Sequence, residues 1–120
     1  MLARPWSKFL VGTTLLTLVA CQSSASVETL PLEVQVSLDR TTANRGETVT
    51  AVATAQGGVL LGITIDYGDG ATDSYNTAGA STAKVSFKHA YTTSGTFTVK
   101  AVVTDGVGGD KSAAAQVRVN

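Results

Sequence analysis

Apolar and polar side chains alternate with a period of two along most of this 120-residue chain. The alternation begins at Glu33 and returns in successive segments as far as Val119, with glycine, asparagine, aspartate or serine residues between the segments. A period of two places successive side chains on opposite faces of a β-strand, whereas a helix needs a period near 3.6. No window after residue 21 has helical periodicity. The pattern therefore predicts an all-β domain whose strands each bury one face.

Six segments carry this alternation at regular spacing. Their apolar faces consist of Val34, Val36 and Leu38; Val49, Ala51, Ala53 and Ala55; Leu61, Ile63, Ile65 and Tyr67; Ala83, Val85, Phe87, His89 and Tyr91; Phe97, Val99, Ala101 and Val103; and Ala113, Ala115, Val117 and Val119. A short further strand is expected near residues 72–75, followed by a loop over residues 76–81. Six strands separated by turn residues predict an antiparallel β-sandwich.

The first twenty residues have a different character. Arg4 and Lys8 precede an apolar run over residues 9–20, which is shorter than the ~20 residues of a membrane-spanning helix. This order predicts a cleaved signal peptide over residues 1–20. The chain has one cysteine, Cys21, directly after that run, and a single thiol has no partner for an internal disulfide. We therefore interpret Cys21 as an attachment point.

Leu18, Val19, Ala20 and Cys21 together resemble the lipobox of bacterial lipoproteins, with Val19 in place of the commoner Ala or Ser. The resemblance implies that Cys21 carries fatty acyl chains such as palmitate and becomes the new N-terminus. An ordinary secretory signal with an incidental cysteine is the alternative. Gln22, rather than Asp, follows the cysteine, which resembles outer-membrane sorting in Gram-negative lipoproteins, with periplasmic or outward display left open.

Three regions follow from these patterns: the signal peptide over residues 1–20, a lipidated cysteine and flexible tether over residues 21–31, and a β-sandwich domain over residues 32–120. The tether is polar and rich in serine, and ten extended residues reach roughly 30 Å. The domain is therefore expected to stay close to a membrane surface.

Charge and cysteine content exclude several classes of function. Removal of Arg4 and Lys8 leaves seven of the nine basic side chains against nine acidic ones, so the mature chain gives no electrostatic reason to bind nucleic acid. With Cys21 acylated, the domain has neither a disulfide nor the residues of a Cys/His zinc site. No cofactor beyond the covalent lipid is expected.

Two segments resemble signatures of PKD (polycystic kidney disease) domains. Residues 65–70 read Ile65-Asp66-Tyr67-Gly68-Asp69-Gly70, which is similar to the family's W-D-F-G-D-G, and residues 89–99 match its H-x-Y-x-x-x-G-x-Y-x-V segment through His89, Tyr91, Gly95, Phe97 and Val99. The resemblance implies an immunoglobulin-like β-sandwich over residues 32–120. Ile65 replaces the usual Trp and Phe97 a common Tyr, and both substitutions keep an apolar side chain.

Candidates for chemistry are few. His89, the only histidine, is in phase with the apolar face of its strand, and the resemblance implies a structural role for it. The chain has no G-x-S-x-G or comparable nucleophile motif, so we expect no catalytic residues and no enzyme activity. The carboxylates of Asp66, Asp69, Asp105 and Asp110 are weak candidates for calcium, because aspartate is also a preferred turn residue. Tyr75 is the one aromatic ring expected to be exposed, which disfavours a glycan-binding platform.

Polar side chains on the outer faces of the third strand and the last two strands form a better candidate surface for a protein partner. These residues are Thr64, Thr96, Thr98, Lys100, Gln116 and Arg118. The sequence thus predicts a non-enzymatic, membrane-anchored lipoprotein that presents one PKD-like domain for protein interaction, adhesion or spacing at the bacterial cell envelope. The alternative is a calcium-responsive or carbohydrate-binding accessory module that assists a secreted hydrolase.

Overall fold

A computed structural model describes residues 30–120 of the chain. The predicted signal peptide, the lipobox with Cys21 and most of the predicted tether lie outside the described residues. No helix within residues 30–120 is long and apolar enough to cross a membrane.

The described part consists of six β-strands and the turns between them. The strands are β1 (Glu33–Leu38), β2 (Thr42–Ala43), β3 (Thr48–Asp66), β4 (Thr72–Ala90), β5 (Gly95–Asp105) and β6 (Gly109–Val119). They pair in the order β1-β3-β5-β6-β2, and β4 pairs with β3. All pairs are antiparallel except β2 with β6, which are parallel. The prediction of an all-β, antiparallel architecture is confirmed.

Two layers arise because β3 and β4 each fold over at mid-length. Residues 48–56 of β3 pair with β1, whereas residues 60–66 of the same strand pair with β5. The β3–β4 register shifts on both sides of Leu60, where residues 57–59 of β3 and residues 77–79 of β4 are unpaired in the ladder. Bulges of this kind bend strands and let one strand pass from one layer of a sandwich to the other.

These bends correct three details of the sequence prediction. Gly57 and Gly58 lie inside one long strand rather than between two strands, and residues 76–81 belong to β4 rather than to a loop. Leu61, expected on the buried face, is 49 % exposed, and Leu60 is fully buried in its place. The bulge shifts the alternation by one position, which moves a side chain to the opposite face.

The core lies between the two layers and contains the side chains that the alternation places on the inner faces. The buried apolar residues are Val34, Ala43, Val49, Ala51, Ala53, Ala55, Leu60, Ile63, Ile65, Tyr67, Phe87, Tyr91, Val99, Ala101, Val103, Val117 and Val119. Small Ala and Val residues predominate on β3 and β5, and Ile65 is fully buried where the family usually has Trp.

The two ends of the sandwich differ in what they contain. The N-proximal end consists of residues 30–32, the bend of β3 at residues 57–59 and the β5–β6 turn at residues 106–108, where Gly106 N–H donates to the Val59 carbonyl over 2.8 Å. The distal end consists of residues 44–47, 67–71, 91–95 and Asn120, where Gly46 N–H donates to the Tyr91 carbonyl over 2.8 Å. The chain from Cys21 therefore enters the domain at the N-proximal end.

Candidate functional site

The turn after β3 is shaped by its own aspartates. The Asp66 carboxylate accepts a hydrogen bond from Gly68 N–H over 2.8 Å, and the Asp69 carboxylate accepts one from Ala71 N–H over 3.1 Å. Gly68 has φ +85°, and a Cβ atom there would lie 2.6 Å from the Thr98 carbonyl oxygen. Only glycine fits this close approach of the turn to β5.

Four rings from the two PKD-like segments stack at the distal end. The Tyr67 and His89 rings are stacked with centroids 4.1 Å apart, and His89 meets the Tyr91 ring edge-on at 4.7 Å. Tyr91 in turn stacks on Phe97 at 4.5 Å. The two motif segments, which are about twenty residues apart in sequence, therefore form one packed cluster.

Hydrogen bonds complete this distal cluster. The Tyr91 hydroxyl donates to the Tyr67 carbonyl over 2.8 Å, the Tyr67 hydroxyl donates to the Asp73 carboxylate over 2.7 Å, and His89 Nε2 is hydrogen bonded to the Asp69 carboxylate over 2.7 Å. Asp73 was not expected to take part, because its contact with Tyr67 depends on how the turn closes.

The electrostatics of the cluster favour neutral tyrosines. Burial, together with the Asp73 carboxylate, raises the pKa of Tyr67 well above its ordinary value. Burial, followed by the charges of Asp69 and Asp66, raises the pKa of Tyr91 to about 12. Partial burial acts to raise the pKa of Asp69, but hydrogen bonds from His89 and the Ala71 N–H outweigh it, so this pKa is lowered. Both tyrosine hydroxyls are therefore hydrogen-bond donors at neutral pH and poor nucleophiles.

Within residues 30–120, the pair of His89 with Asp69 has no third member that would complete a hydrolase triad. In the described part of the chain, His89 hydrogen bonds to Asp69 and to no serine, threonine or cysteine side chain. The ring nitrogen of a triad base must reach a nucleophile within hydrogen-bond distance. The arrangement fits the packing of a turn against two strands.

Asp105 has a larger structural role than its place in a turn indicates. It is only 5 % exposed, and its carboxylate accepts hydrogen bonds from Val59 N–H at 2.6 Å, Gly108 N–H at 2.6 Å and Val107 N–H at 3.0 Å. The Gly108 N–H contributes most to a lowered pKa of Asp105, with the Val59 and Val107 N–H groups adding to it against the effect of burial. Asp105 thus joins the bend of β3 to the β5–β6 turn.

The contact of Asp105 with Val59 spans 46 residues of sequence and has no local signature. The detectable signal is its phase, because Asp105 continues the buried face of Ala101 and Val103 and is followed by glycines. A carboxylate at a buried position needs donors.

The four calcium candidates do not come together. Asp66 and Asp69 lie at the distal end, whereas Asp105 and Asp110 lie at the N-proximal end, roughly 20 Å away along the six-residue rise from Leu60 to Asp66. Within residues 30–120, no group of three or more His, Cys, Asp or Glu side chains is arranged to hold a metal ion. Asp105 and Asp110 therefore do not lie at the end of the sandwich that holds Asp66 and Asp69.

The candidate interaction face lies on the outer side of the layer built from β3, β5 and β6. Thr96 is paired with Arg118 and Thr98 with Gln116 across β5 and β6, and Lys100 lies on the same face. Thr64 of β3 adjoins them through its pairing with Val102. All six side chains of the predicted set are exposed.

The opposite layer carries a groove that the sequence did not indicate. It has a volume of about 370 Å³ and crosses β1, β3 and β4 at the row formed by Val34, Ala55 and Ala83. The side chains of that row turn inward, so polar residues of the adjacent rows form the walls. These wall residues are Glu33, Gln35, Thr54, Gln56, Thr82 and Lys84.

Solved structures of low sequence identity share this fold. The PKD domain of an M14-like peptidase from Thermoplasmatales archaeon SCGC AB-540-F20 has a TM-score of 0.66 and 24 % identity, covering 77 % of this chain and 98 % of that one. The PKD domain of the human VPS10 domain-containing receptor SorCS2 has a TM-score of 0.57 and 19 % identity, covering 98 % of this chain and 96 % of that one.

A solved structure that is not described as a PKD domain is also similar, the sulfur carrier protein SoxY from Chlorobium limicola f thiosulfatophilum. It has a TM-score of 0.60 and 19 % identity, covering 72 % of this chain and 78 % of that one. At such identities the likeness shows the fold alone. A search of curated protein sequences found no match.

A sequence model of the PKD domain matches residues 31–119, which is nearly the whole of the described part. The immunoglobulin-like β-sandwich and the two joined motif segments agree with that match. The chain belongs to the PKD domain family.

Proposed function

We propose that this protein is a non-enzymatic, lipid-anchored envelope protein whose single PKD domain binds a protein partner. PKD domains are generally non-catalytic modules, and the distal cluster of this chain has no nucleophile paired with His89 in its described part. The observation that carries the proposal is the outer face of β3, β5 and β6, on which the six exposed polar side chains of the predicted set lie on neighbouring paired strands.

The chemistry of this face suits an acidic or polar partner. Threonine hydroxyls and the Gln116 amide both donate and accept hydrogen bonds. Among residues 30–120, neither Lys100 nor Arg118 lies within ion-pair distance of a carboxylate, since the ion pairs there involve Arg40, His89 and Lys111. Two cations without a carboxylate partner on one flat surface can therefore attract an acidic patch.

The anchor in this proposal is Cys21, in the sequence context of Leu18, Val19 and Ala20. Each buried methylene of an acyl chain contributes about 0.8 kcal/mol, and one chain alone holds a protein only marginally. Several chains on Cys21 would give a stable hold, with the outer membrane as the proposed location in a Gram-negative cell.

Mass spectrometry of the protein purified from its cell envelope tests the anchor. The expected N-terminus is an acylated Cys21, with residues 1–20 absent, and Cys21→Ser should abolish both the modification and the retention in the membrane fraction. An unmodified thiol at position 21 in membrane-extracted protein would overturn the anchoring.

Site-specific photo-crosslinking in cells tests the interaction face. A crosslinker at Thr98 should form a discrete protein adduct, whereas one at Ser86, on the outer face of the opposite layer, should not. The charge reversals Lys100→Glu and Arg118→Glu should reduce the adduct, and the matched reversals Lys84→Glu and Lys88→Glu should leave it unchanged. Equal adducts from positions 86 and 98 would show that the partner binds elsewhere or that the adducts arise from random collisions.

A further inference from the structure

Exposed apolar side chains are concentrated at one end of the sandwich. In the described residues, the large apolar side chains with substantial exposure are Leu30 (42 %), Val59 (40 %), Leu61 (49 %), Tyr75 (52 %) and Val107 (70 %). Three of them, Leu30, Val59 and Val107, belong to the chain entry, the bend of β3 and the β5–β6 turn, which together form the N-proximal end. Leu61 lies next to that end, at the register shift between Leu60 and Gly62. Tyr75 is on β4 and is paired with Ile63 of β3.

Backbone hydrogen bonds hold two of these residues, Val107 and Val59, in place. Val107 occupies the tip of a turn whose N–H groups at Val107 and Gly108 donate to Asp105. Val59 is fixed by its N–H to Asp105 and by its carbonyl to Gly106 N–H. Polar residues usually occupy such tips, so apolar side chains on rigid, solvent-facing turns indicate a surface that something covers.

The position of the chain entry indicates what covers them. Leu32 packs against Gly108 of the β5–β6 turn, so the segment leading from Cys21 joins the domain within this same apolar end. Eight residues lie between Cys21 and Leu30, and the extended segment from Cys21 to Leu30 reaches roughly 30 Å. If Cys21 is acylated, the N-proximal end is the part of the domain held nearest to the bilayer.

Few exposed side chains at this end carry an uncompensated charge. Glu33 forms an ion pair with Lys111 at 2.7 Å, Asp105 is buried on backbone donors, and Asp110 is the remaining exposed carboxylate beside the turn. The distal end, by contrast, carries Asp66, Asp69 and Arg45. Exposed apolar side chains at this end fit the interfacial region of a lipid bilayer better than they fit water.

We propose that the N-proximal end of the domain, with its exposed Leu30, Val59 and Val107 and the adjacent Leu61, rests on the surface of the bilayer to which Cys21 is anchored. The inference rests on the proposed lipid anchor and adds an orientation to it. The strands then stand upright on the membrane, with the distal cluster farthest from it and the interaction face at the side. Apolar contact of this kind should persist at high salt.

Depth-dependent fluorescence quenching tests the orientation on the full acylated protein in vesicles of phosphatidylethanolamine and phosphatidylglycerol. Because acylation blocks the sulfur of Cys21, a fluorophore reacts only with a cysteine introduced as Val107→Cys or, at the distal end, as Ser94→Cys. Nitroxide-labelled lipids should quench the label at position 107 strongly and the label at position 94 hardly at all. Equal quenching at the two positions would overturn the proposal.

A second variant distinguishes docking through apolar side chains from simple proximity to the membrane. A label at Thr104→Cys, one row from the turn, should be quenched in the otherwise native protein and should lose that quenching when Leu61→Ser and Val107→Ser are added. Quenching that survives both serine substitutions would show that the tether alone holds the domain there, and would overturn the docking.

The mass of the same sample separates failure of the docking from failure of the anchor. An acylated protein whose label at position 107 is not quenched overturns the docking and leaves the proposed anchor standing. A sample without acyl chains overturns the anchor, and with it the orientation that depends on it.

Discussion

At the scale of single residues, Asp105 shows how one carboxylate can fix two loops. Its oxygens accept hydrogen bonds from three backbone N–H groups, one in the bend of β3 and two in the β5–β6 turn. Gly57 leaves room for it, since a Cβ atom there would lie 2.8 Å from the Asp105 carboxylate. The shape of the N-proximal end therefore depends on this side chain.

Asp105→Asn is expected to destabilise the domain. The amide has one acceptor oxygen where the carboxylate has two, and its NH₂ group would face backbone N–H donors, leaving buried donors unpaired. Thermal unfolding followed by circular dichroism should show a Tm lower by several degrees. Asp110→Asn, at an exposed position beside the same turn, is the control and should change the Tm little. Equal Tm values for the two variants would contradict the role of Asp105.

Calcium is expected to leave the domain unchanged. The carboxylates of Asp66, Asp69 and Asp105 already accept hydrogen bonds from backbone N–H groups, and a cation would have to displace these donors. Calorimetric titration should show no saturable heat, and the Tm should not rise with added calcium. A saturable heat that disappears in Asp69→Ala would favour the calcium-responsive accessory module instead.

At the scale of strands, β4 contains a locally strained bend. Asn76 accepts a hydrogen bond from Ala78 N–H over 2.7 Å, and Ala78 adopts φ +53°, followed by Gly79 at φ +82°. A left-handed conformation is unfavourable for a residue with a Cβ atom, and Ala78 is the only non-glycine residue in the described part that adopts it.

Ala78→Gly is therefore expected to stabilise the domain, although glycine loses more chain entropy on folding. Relief of the left-handed strain outweighs that loss, and the free energy of unfolding should rise by about 0.5–1 kcal/mol in chemical denaturation. Ala80→Gly, two residues on where β4 pairs with Leu60, should lower it by a similar amount. A loss of stability in both variants would show that the bend is not strained.

The same bends mark how far the sequence predicts this fold. Alternation identifies the inner faces of β1, β5 and β6, because each has one partner layer and an unbroken period of two. Near Gly57 and Ala78 the period is interrupted by bulges, which depend on pairing between segments distant in sequence. From the local pattern alone, the bends are therefore predicted to be turns, and Leu61 instead of Leu60 is predicted to be buried.

For the candidate sites too, features that depend on a regular strand could be predicted and features that depend on tertiary packing could not. The outward positions of Thr98, Lys100 and Arg118 could be predicted, because they depend only on the phase of a regular strand. The partners of Tyr67 and Asp105 could not, because Asp73 and Val59 reach them through turns whose closure is set by tertiary packing.

At the scale of the whole molecule, the domain is polarised along its strands. Exposed apolar side chains are concentrated at the N-proximal end, and the ring cluster with Asp66, Asp69 and Arg45 lies at the distal end, with the interaction face between them. The proposed membrane contact and the proposed partner would therefore use different surfaces of the domain. The domain is also stabilised without disulfides in the described part, so acid-sensitive hydrogen bonds carry more of its stability.

Acid should therefore unfold the domain in a defined pH range. The pKa values of Asp105, Asp69, Asp39 and Glu47 are lowered in the folded state, chiefly by hydrogen bonds from backbone N–H groups and, for Asp69, from His89. A carboxyl group whose pKa is lower in the folded state binds protons more weakly there than in the unfolded chain. It therefore favours folding above its ordinary value, and this contribution disappears as the pH falls through the folded-state pKa.

The Tm should accordingly stay nearly constant from neutral pH to about pH 5 and fall steeply through pH 4 and below. Asp105→Asn removes one of the titrating groups, so its Tm should be lower at neutral pH and converge on that of the native protein in acid. Thermal unfolding of both proteins over this pH range measures the convergence. A constant difference in Tm between them at all pH values would mean that the ionised form of Asp105 contributes nothing beyond its shape.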